Sequence, residues 1–203
     1  MNRIFTSLAI LAMASVLSCD RHNSTITSPL PSLGVLVPLA PGNTWVLADT
    51  LWDPSGAIIS AKIDTNAVLR DTMIAGETRY VLREPHVEYI ATNRTDGYWH
   101  GRGPVLELLY KFPANIGDSA QSAEYYYMTT RVASTDSTVL TPSGSYRCYV
   151  YRTAGSLAGY RYVWNQYIAP NHGFIGSDSY RSYSDTTMLH LTTTTRLLAY
   201  QLH

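Results

Sequence analysis

The feature that most restricts this fold is a rhythm: short runs dense in Val, Ile, Thr, Tyr and Trp, broken about every ten residues by Gly, Pro, Asn or Asp. β-branched and aromatic side chains suit a pleated, half-buried surface, and the breaks carry turn chemistry. Asp53-Pro54-Ser55-Gly56, Thr95-Asp96-Gly97, Pro142-Ser143-Gly144 and Asn171-His172-Gly173 each supply a fixed φ or a residue that tolerates positive φ where a hairpin reverses. Candidate strands are Thr44 to Thr50, Ile58 to Leu69, Thr78 to Glu84, Val87 to Thr92, Val105 to Phe112, Ala123 to Val132, Arg147 to Arg152, Tyr160 to Ala169, Phe174 to Tyr180 and Met188 to Tyr200. No apolar period of 3.6 residues lasts three turns; Val105 to Tyr110, between Pro104 and Pro113, leaves room for one short helix. The expected fold is all-β: an antiparallel curved sheet or incomplete, half-open barrel of about ten strands.

A faint internal echo suggests two similar halves. Pro38 to Thr44 matches Pro113 to Ser119 in its Pro, Gly, Asn/Asp and Thr/Ser positions, and Tyr89-Ile90-Ala91-Thr92-Asn93 matches Tyr167-Ile168-Ala169-Pro170-Asn171. The two offsets, 75 and 78 residues, are nearly equal.

The N-terminus carries an address. Arg3 precedes an uncharged, mostly apolar stretch from Ile4 to Leu17, the layout of an export signal and, at about 14 residues, shorter than the roughly 20 needed to span a bilayer. It ends in Val16-Leu17-Ser18-Cys19, which resembles the lipobox of bacterial lipoproteins, where the cysteine is lipidated and becomes the mature N-terminus. The ordinary alternative is a secretory signal cut after Ala12-Met13-Ala14. Residues 1–18 therefore read as a lipoprotein signal peptide, 19–37 as lipidated Cys19 and a flexible tether rich in Ser, Thr and Pro, and 38–203 as one all-β domain. The implied location is the bacterial cell envelope, anchored to membrane through lipid. The outer membrane is favoured, and Asp20 after the cysteine keeps the inner membrane open.

Several phrases of the domain resemble a family of uncharacterised bacterial lipoproteins: Pro38-Leu39 with Gly42-Asn43 and Trp45, Tyr110 to Asp118, Pro142 to Tyr149, and Tyr167 to Ile175. The resemblance brings no activity, ligand or catalytic residue with it. The family's general look is that of the half-barrel lipid-binding folds of the periplasm, an analogy of fold that licenses no function.

The chemistry searched for is mostly absent from the sequence. Fifteen basic and fifteen acidic residues cancel, so no net field draws the chain to nucleic acid. The six histidines, His22, His86, His100, His172, His190 and His203, fall at no metal-ligand spacing, and no nucleophile elbow or phosphate loop occurs, so no metal, cofactor or catalytic residue is assigned. Cys148 reads as a small buried hydrophobe. The acidic pairs Asp49 with Asp53 and Glu84 with Glu88 read as solvated turn or strand-edge charges, with acid and base work on a sugar as the sharper alternative.

Sixteen tyrosines outnumber the three phenylalanines and four tryptophans, and rings such as Tyr98, Trp99, Tyr126, Trp164 and Tyr167 sit on or beside strands. On the concave face of an open sheet they would line a groove for an apolar ligand or a glycan; in the core they would simply fill it. The leading expectation is a non-catalytic, lipid-anchored module that binds an apolar ligand or an envelope protein in the hollow of its sheet. The alternatives are a structural or surface-interaction lipoprotein with no ligand and, more distantly, an enzyme acting on envelope glycans.

Overall fold

The computed structural model describes residues 34–85, 87–121, 128–157, 159–182 and 188–203. Cys19, the signal peptide, most of the tether, His86 and Tyr125 to Tyr127 lie outside the described residues.

Twelve strands form: β1 (Thr44–Trp52), β2 (Ile58–Ile74), β3 (Glu77–Glu84), β4 (Val87–Arg94), β5 (Gly97–Gly101), β6 (Glu107–Lys111), β7 (Ser119–Gln121), β8 (Met128–Thr141), β9 (Gly144–Leu157), β10 (Tyr160–Ala169), β11 (Gly173–Ser182) and β12 (Leu189–Gln201). Among the described residues there is no helix; the stretch that left room for one becomes β6. The count exceeds ten because β5 and β7, at five and three residues, are too short to show alternation.

All pairings are antiparallel, in the order β6-β5-β4-β3-β2-β1-β12-β11-β10-β9-β8-β7. Two six-stranded meanders are thus joined where β1 pairs β12, from Thr44 opposite Gln201 to Leu51 opposite Thr193. The sheet curls nearly into a barrel and leaves one unsealed seam between β6 and β7.

The internal echo is real in the backbone. Gly42 and Gly117, just before β1 and β7, hold φ of +94° and +93°, the region glycine enters without steric cost. Asn43 donates its N–H to Ala40 O at 3.0 Å, as Asp118 does to Asn115 O at 3.1 Å. Gly42 N–H reaches Val68 O at 2.8 Å and Gly117 N–H reaches Val132 O at 2.9 Å; Val68 and Val132 return their N–H groups to Asn43 O and Asp118 O, both at 2.8 Å. The matched Tyr89 and Tyr167 fall on β4 and β10, also six strands apart.

The folded part begins before Pro38. Leu36 and Val37 are buried in the core, and the segment is held from three sides. Asn171 N–H donates to Val35 O (2.8 Å), Asn93 Nδ2 to Val37 O (2.8 Å) and Asn43 Nδ2 to Pro38 O (3.0 Å). Asn93 and Asn171 are the matched asparagines of the echo. They lie where β4 and β10 end, so residues 34–39 cap that end of the barrel. The opposite end carries the β1–β2, β3–β4 and β5–β6 connections.

Tyrosines fill the interior beside the seam. Tyr98, Tyr110, Tyr151 and Tyr149 form a chain of rings with centroid separations of 5.9, 4.6 and 6.2 Å. Tyr151 on β9 donates its hydroxyl to Lys111 O on β6 at 2.8 Å, and Lys111 Nζ meets Asp118 at 3.0 Å, so side chains bridge what the ladder leaves open. Cys148 is fully buried, and burial pushes its thiol up to about 12, which makes it packing rather than a nucleophile.

Tyr151→Phe is expected to lower stability by about 1 kcal/mol and Tm by roughly 2–4 °C, because Lys111 O loses its partner. Hydrogen exchange of β6 amides accelerates while that of β1 and β12 does not. A variant with unchanged β6 exchange refutes this role for Tyr151.

Candidate functional site

Period-2 alternation sends Trp45, Leu47 and Asp49 of β1 to the inner face, and the register places Asn66, Asp64 and Lys62 of β2 opposite them. The tyrosine stack fills only one side of the barrel. Beside it, with Tyr98 and Tyr110 on the shared wall, lies a cavity of about 470 Å³ lined mainly from β1 to β6.

Its deep part, next to the capped end, is lined by Val37, Trp45, Ile168 and Phe174, with Leu47, Leu82 and Tyr98 on the wall. Trp45 is fixed in place: its Nε1 donates to His172 O at 2.6 Å, and its ring lies so close to Gly173 (φ +83°) that a Cβ there would sit 3.2 Å away. Toward the open end the same alternation turns polar. Asp49 stands four residues beyond Trp45, about 13 Å along the strand. Lys62 bonds Asp64 and lies 3.8 Å from Asp49, and Glu84 completes the polar rim.

One carboxylate oxygen at this rim is unsatisfied, and a second carboxyl is desolvated. The buried Oδ1 of Asp49 has no hydrogen-bond partner. Glu84 sits in the wall, where desolvation raises its carboxyl above the usual range. Deeper in, burial and then the nearby Arg102 push His100 down to about 4, so its imidazole is neutral, lying 4.1 Å from the Tyr89 ring. Burial also raises the hydroxyls of Tyr98 and Tyr110. The interior is therefore an apolar medium with neutral hydrogen-bonding groups, opening past three carboxyl groups and one ammonium.

The structure sorts the aromatic candidates. Tyr98 lines the cavity. Trp99, one residue on, faces the outside, where Arg94 lies 4.2 Å over its ring and Asp96 accepts its Nε1 at 2.8 Å. Tyr167 is also outside, donating to Asp178 at 2.6 Å beneath Arg196. Trp164 shares the inner phase of β10 with Gln166 and Ile168 but does not line the cavity, and Tyr126 lies outside the described residues. Adjacent strand residues point to opposite faces, so neighbouring rings cannot all serve one groove.

The acidic pairs separate for related reasons. Asp53 is a turn residue, accepting from Ser55 N, Ser55 Oγ and Ala57 N, and Glu88 pairs with Arg83. Asp49 and Glu84 line the cavity instead of standing as strand-edge charges. The polar rim was missed by sequence reasoning although one signal existed: the phase set by Trp45 and Leu47 carries straight on to Asp49.

No protein family is matched by the sequence, and no curated protein matches it. Among solved structures the chain is similar to a protein of YmcC-like fold from Bacteroides fragilis, described as a candidate exported protein. The two are 14% identical, the superposition covers 83% of this chain and all of that one, and the TM-score is 0.53. A candidate lipoprotein from Parabacteroides distasonis aligns over 84% of this chain and all of its own at 13% identity, with a TM-score of 0.43. The first likeness is one of fold.

Between pH 6.5 and about 4 the unfolded chain protonates His100 and the fold does not, so stability falls as pH drops through that window. Glu84, with its raised pKa, works in the opposite sense: its contribution declines as pH rises above the ordinary carboxyl value. In His100→Gln the acid-side loss, of order 3 kcal/mol in the parent, should largely vanish in denaturant titrations at pH 7, 5.5 and 4. Parallel pH profiles for parent and variant refute this account.

Proposed function

We propose that the chain is a lipid-anchored, non-catalytic protein of the bacterial cell envelope that holds an amphipathic ligand in the hollow of its barrel. One observation carries this reading: a cavity of about 470 Å³ with an apolar depth and a polar mouth, in the size range of small-molecule sites. An apolar portion of the ligand lies against Trp45, Leu47 and Leu82, and a donor-bearing portion meets Asp49 and Glu84. The anchor rests on Val16-Leu17-Ser18-Cys19, and the export described for the Bacteroides fragilis protein of similar fold supports the address. With Cys19 acylated, two or three chains hold the protein stably at a membrane.

Two measurements test these parts separately. The full-length chain should incorporate labelled palmitate and Cys19→Ser should not; equal labelling removes the anchor assignment. Native mass spectrometry of the full-length protein, released gently from the envelope in detergent, should show a small-molecule adduct. In Leu82→Trp, whose indole enters the cavity, the adduct should fall at least several-fold while the protein stays folded. A clean polypeptide mass from the parent chain would favour a structural lipoprotein with no ligand.

A further inference from the structure

Among the described residues, the full charges lining the cavity are Asp49 on β1, Lys62 and Asp64 on β2, and Glu84 on β3. Lys62 and Asp64 bond each other, so that pair is neutral within itself. The other two carboxyl groups have no such partner. Asp49 Oδ2 lies 3.8 Å from Lys62 Nζ, past hydrogen-bond length, and its buried Oδ1 has no partner at all. Glu84 is shifted by desolvation, with no cation acting on it. The basic groups that could have balanced them are turned elsewhere. Arg79 and Arg94 pair with Glu77 and Arg83 with Glu88, all on the outer face, and Arg102 beside His100 is opposed by Glu107. The cavity is therefore an apolar hollow whose polar part carries an excess of negative charge. A carboxylate at the edge of such a medium is costly unless a hydrogen-bonded cation stands against it.

From this we infer that the ligand of the cavity is an amine: its polar portion is an ammonium group with N–H donors, and Asp49 is its counter-ion. The inference rests on the binding role proposed above and names the class of molecule bound. Thr195, opposite Asp49 on β12, and Gln166 line the same cavity and add neutral oxygen acceptors for further N–H groups. The apolar portion runs inward past Leu47 to Trp45, a distance of about 13 Å that an extended chain of roughly eight to ten carbons spans. Two other head groups are disfavoured by the same residues. An anionic head would have to take Lys62 from Asp64 and would then stand among carboxylates. A quaternary ammonium has the charge but no N–H to give to Asp49.

The test is calorimetric titration of the full-length protein in lipid nanodiscs at pH 7 with probes of one chain length: octylamine, octanol, octanoate and octyltrimethylammonium. Heat that persists in Leu82→Trp comes from the bilayer and is subtracted. Octylamine should bind about tenfold more tightly than octanol, and octanoate and octyltrimethylammonium should fall behind octylamine by about the same factor or more. In Asp49→Asn, which keeps the shape of the side chain and removes its charge, the preference for octylamine over octanol should disappear. Octanoate binding as tightly as octylamine, or a preference for octylamine that survives Asp49→Asn, overturns the ammonium assignment. The two readings fail separately. Octanol and octylamine bound equally by the parent, and by neither route in Leu82→Trp, would remove the charge selection and leave the cavity reading standing. No probe bound beyond the level of Leu82→Trp would remove both.

Discussion

The ladder between β1 and β12 is the interaction on which the rest depends. It joins the two ends of the folded chain, making one sheet of two meanders, and loop-closure entropy makes such a non-local pairing the costly step of assembly. Once it forms, curvature follows from the twist of the strands, and the barrel closes to within one seam. What the ladder cannot do is seal β6 to β7. There Tyr151, Lys111 and Asp118 act in place of backbone pairing.

The inner face is divided by chemistry as well as geometry. On the seam side, tyrosine rings pack against one another and one hydroxyl finds a backbone carbonyl. Next to them the inward residues turn from Trp45, Leu47 and Leu82 to Asp49, Lys62 and Glu84 toward the mouth, and a cavity remains. The same barrel is thus filled in one part and hollow beside it, which reconciles a tyrosine-rich core with room for a ligand.

The two halves have diverged in what they carry while keeping a common frame. Their entry turns superpose hydrogen bond for hydrogen bond, and their paired asparagines jointly hold residues 34–39 across the capped end. The first half carries the acidic rim; the second carries the network of Tyr167, Asp178 and Arg196 on its outer surface.

Local patterning by itself determined the all-β class, most strand positions, the turns at Gly56, Gly97, Gly144 and Gly173, and the two-half frame, because turn chemistry and period-2 alternation act over a few residues. It also marked Cys148 as packing. Tertiary structure alone decided that β1 pairs β12 and not β2 only, that Leu36 and Val37 belong to the core, and that Tyr98 faces the cavity while Trp99 and Tyr167 face out. Those outcomes depend on register, which is set jointly by strands more than a hundred residues apart. The polar rim belongs to the same class: alternation can say that Asp49 shares a face with Trp45, but only the closed sheet determines that this face encloses a cavity and that Glu84 and Lys62 share it.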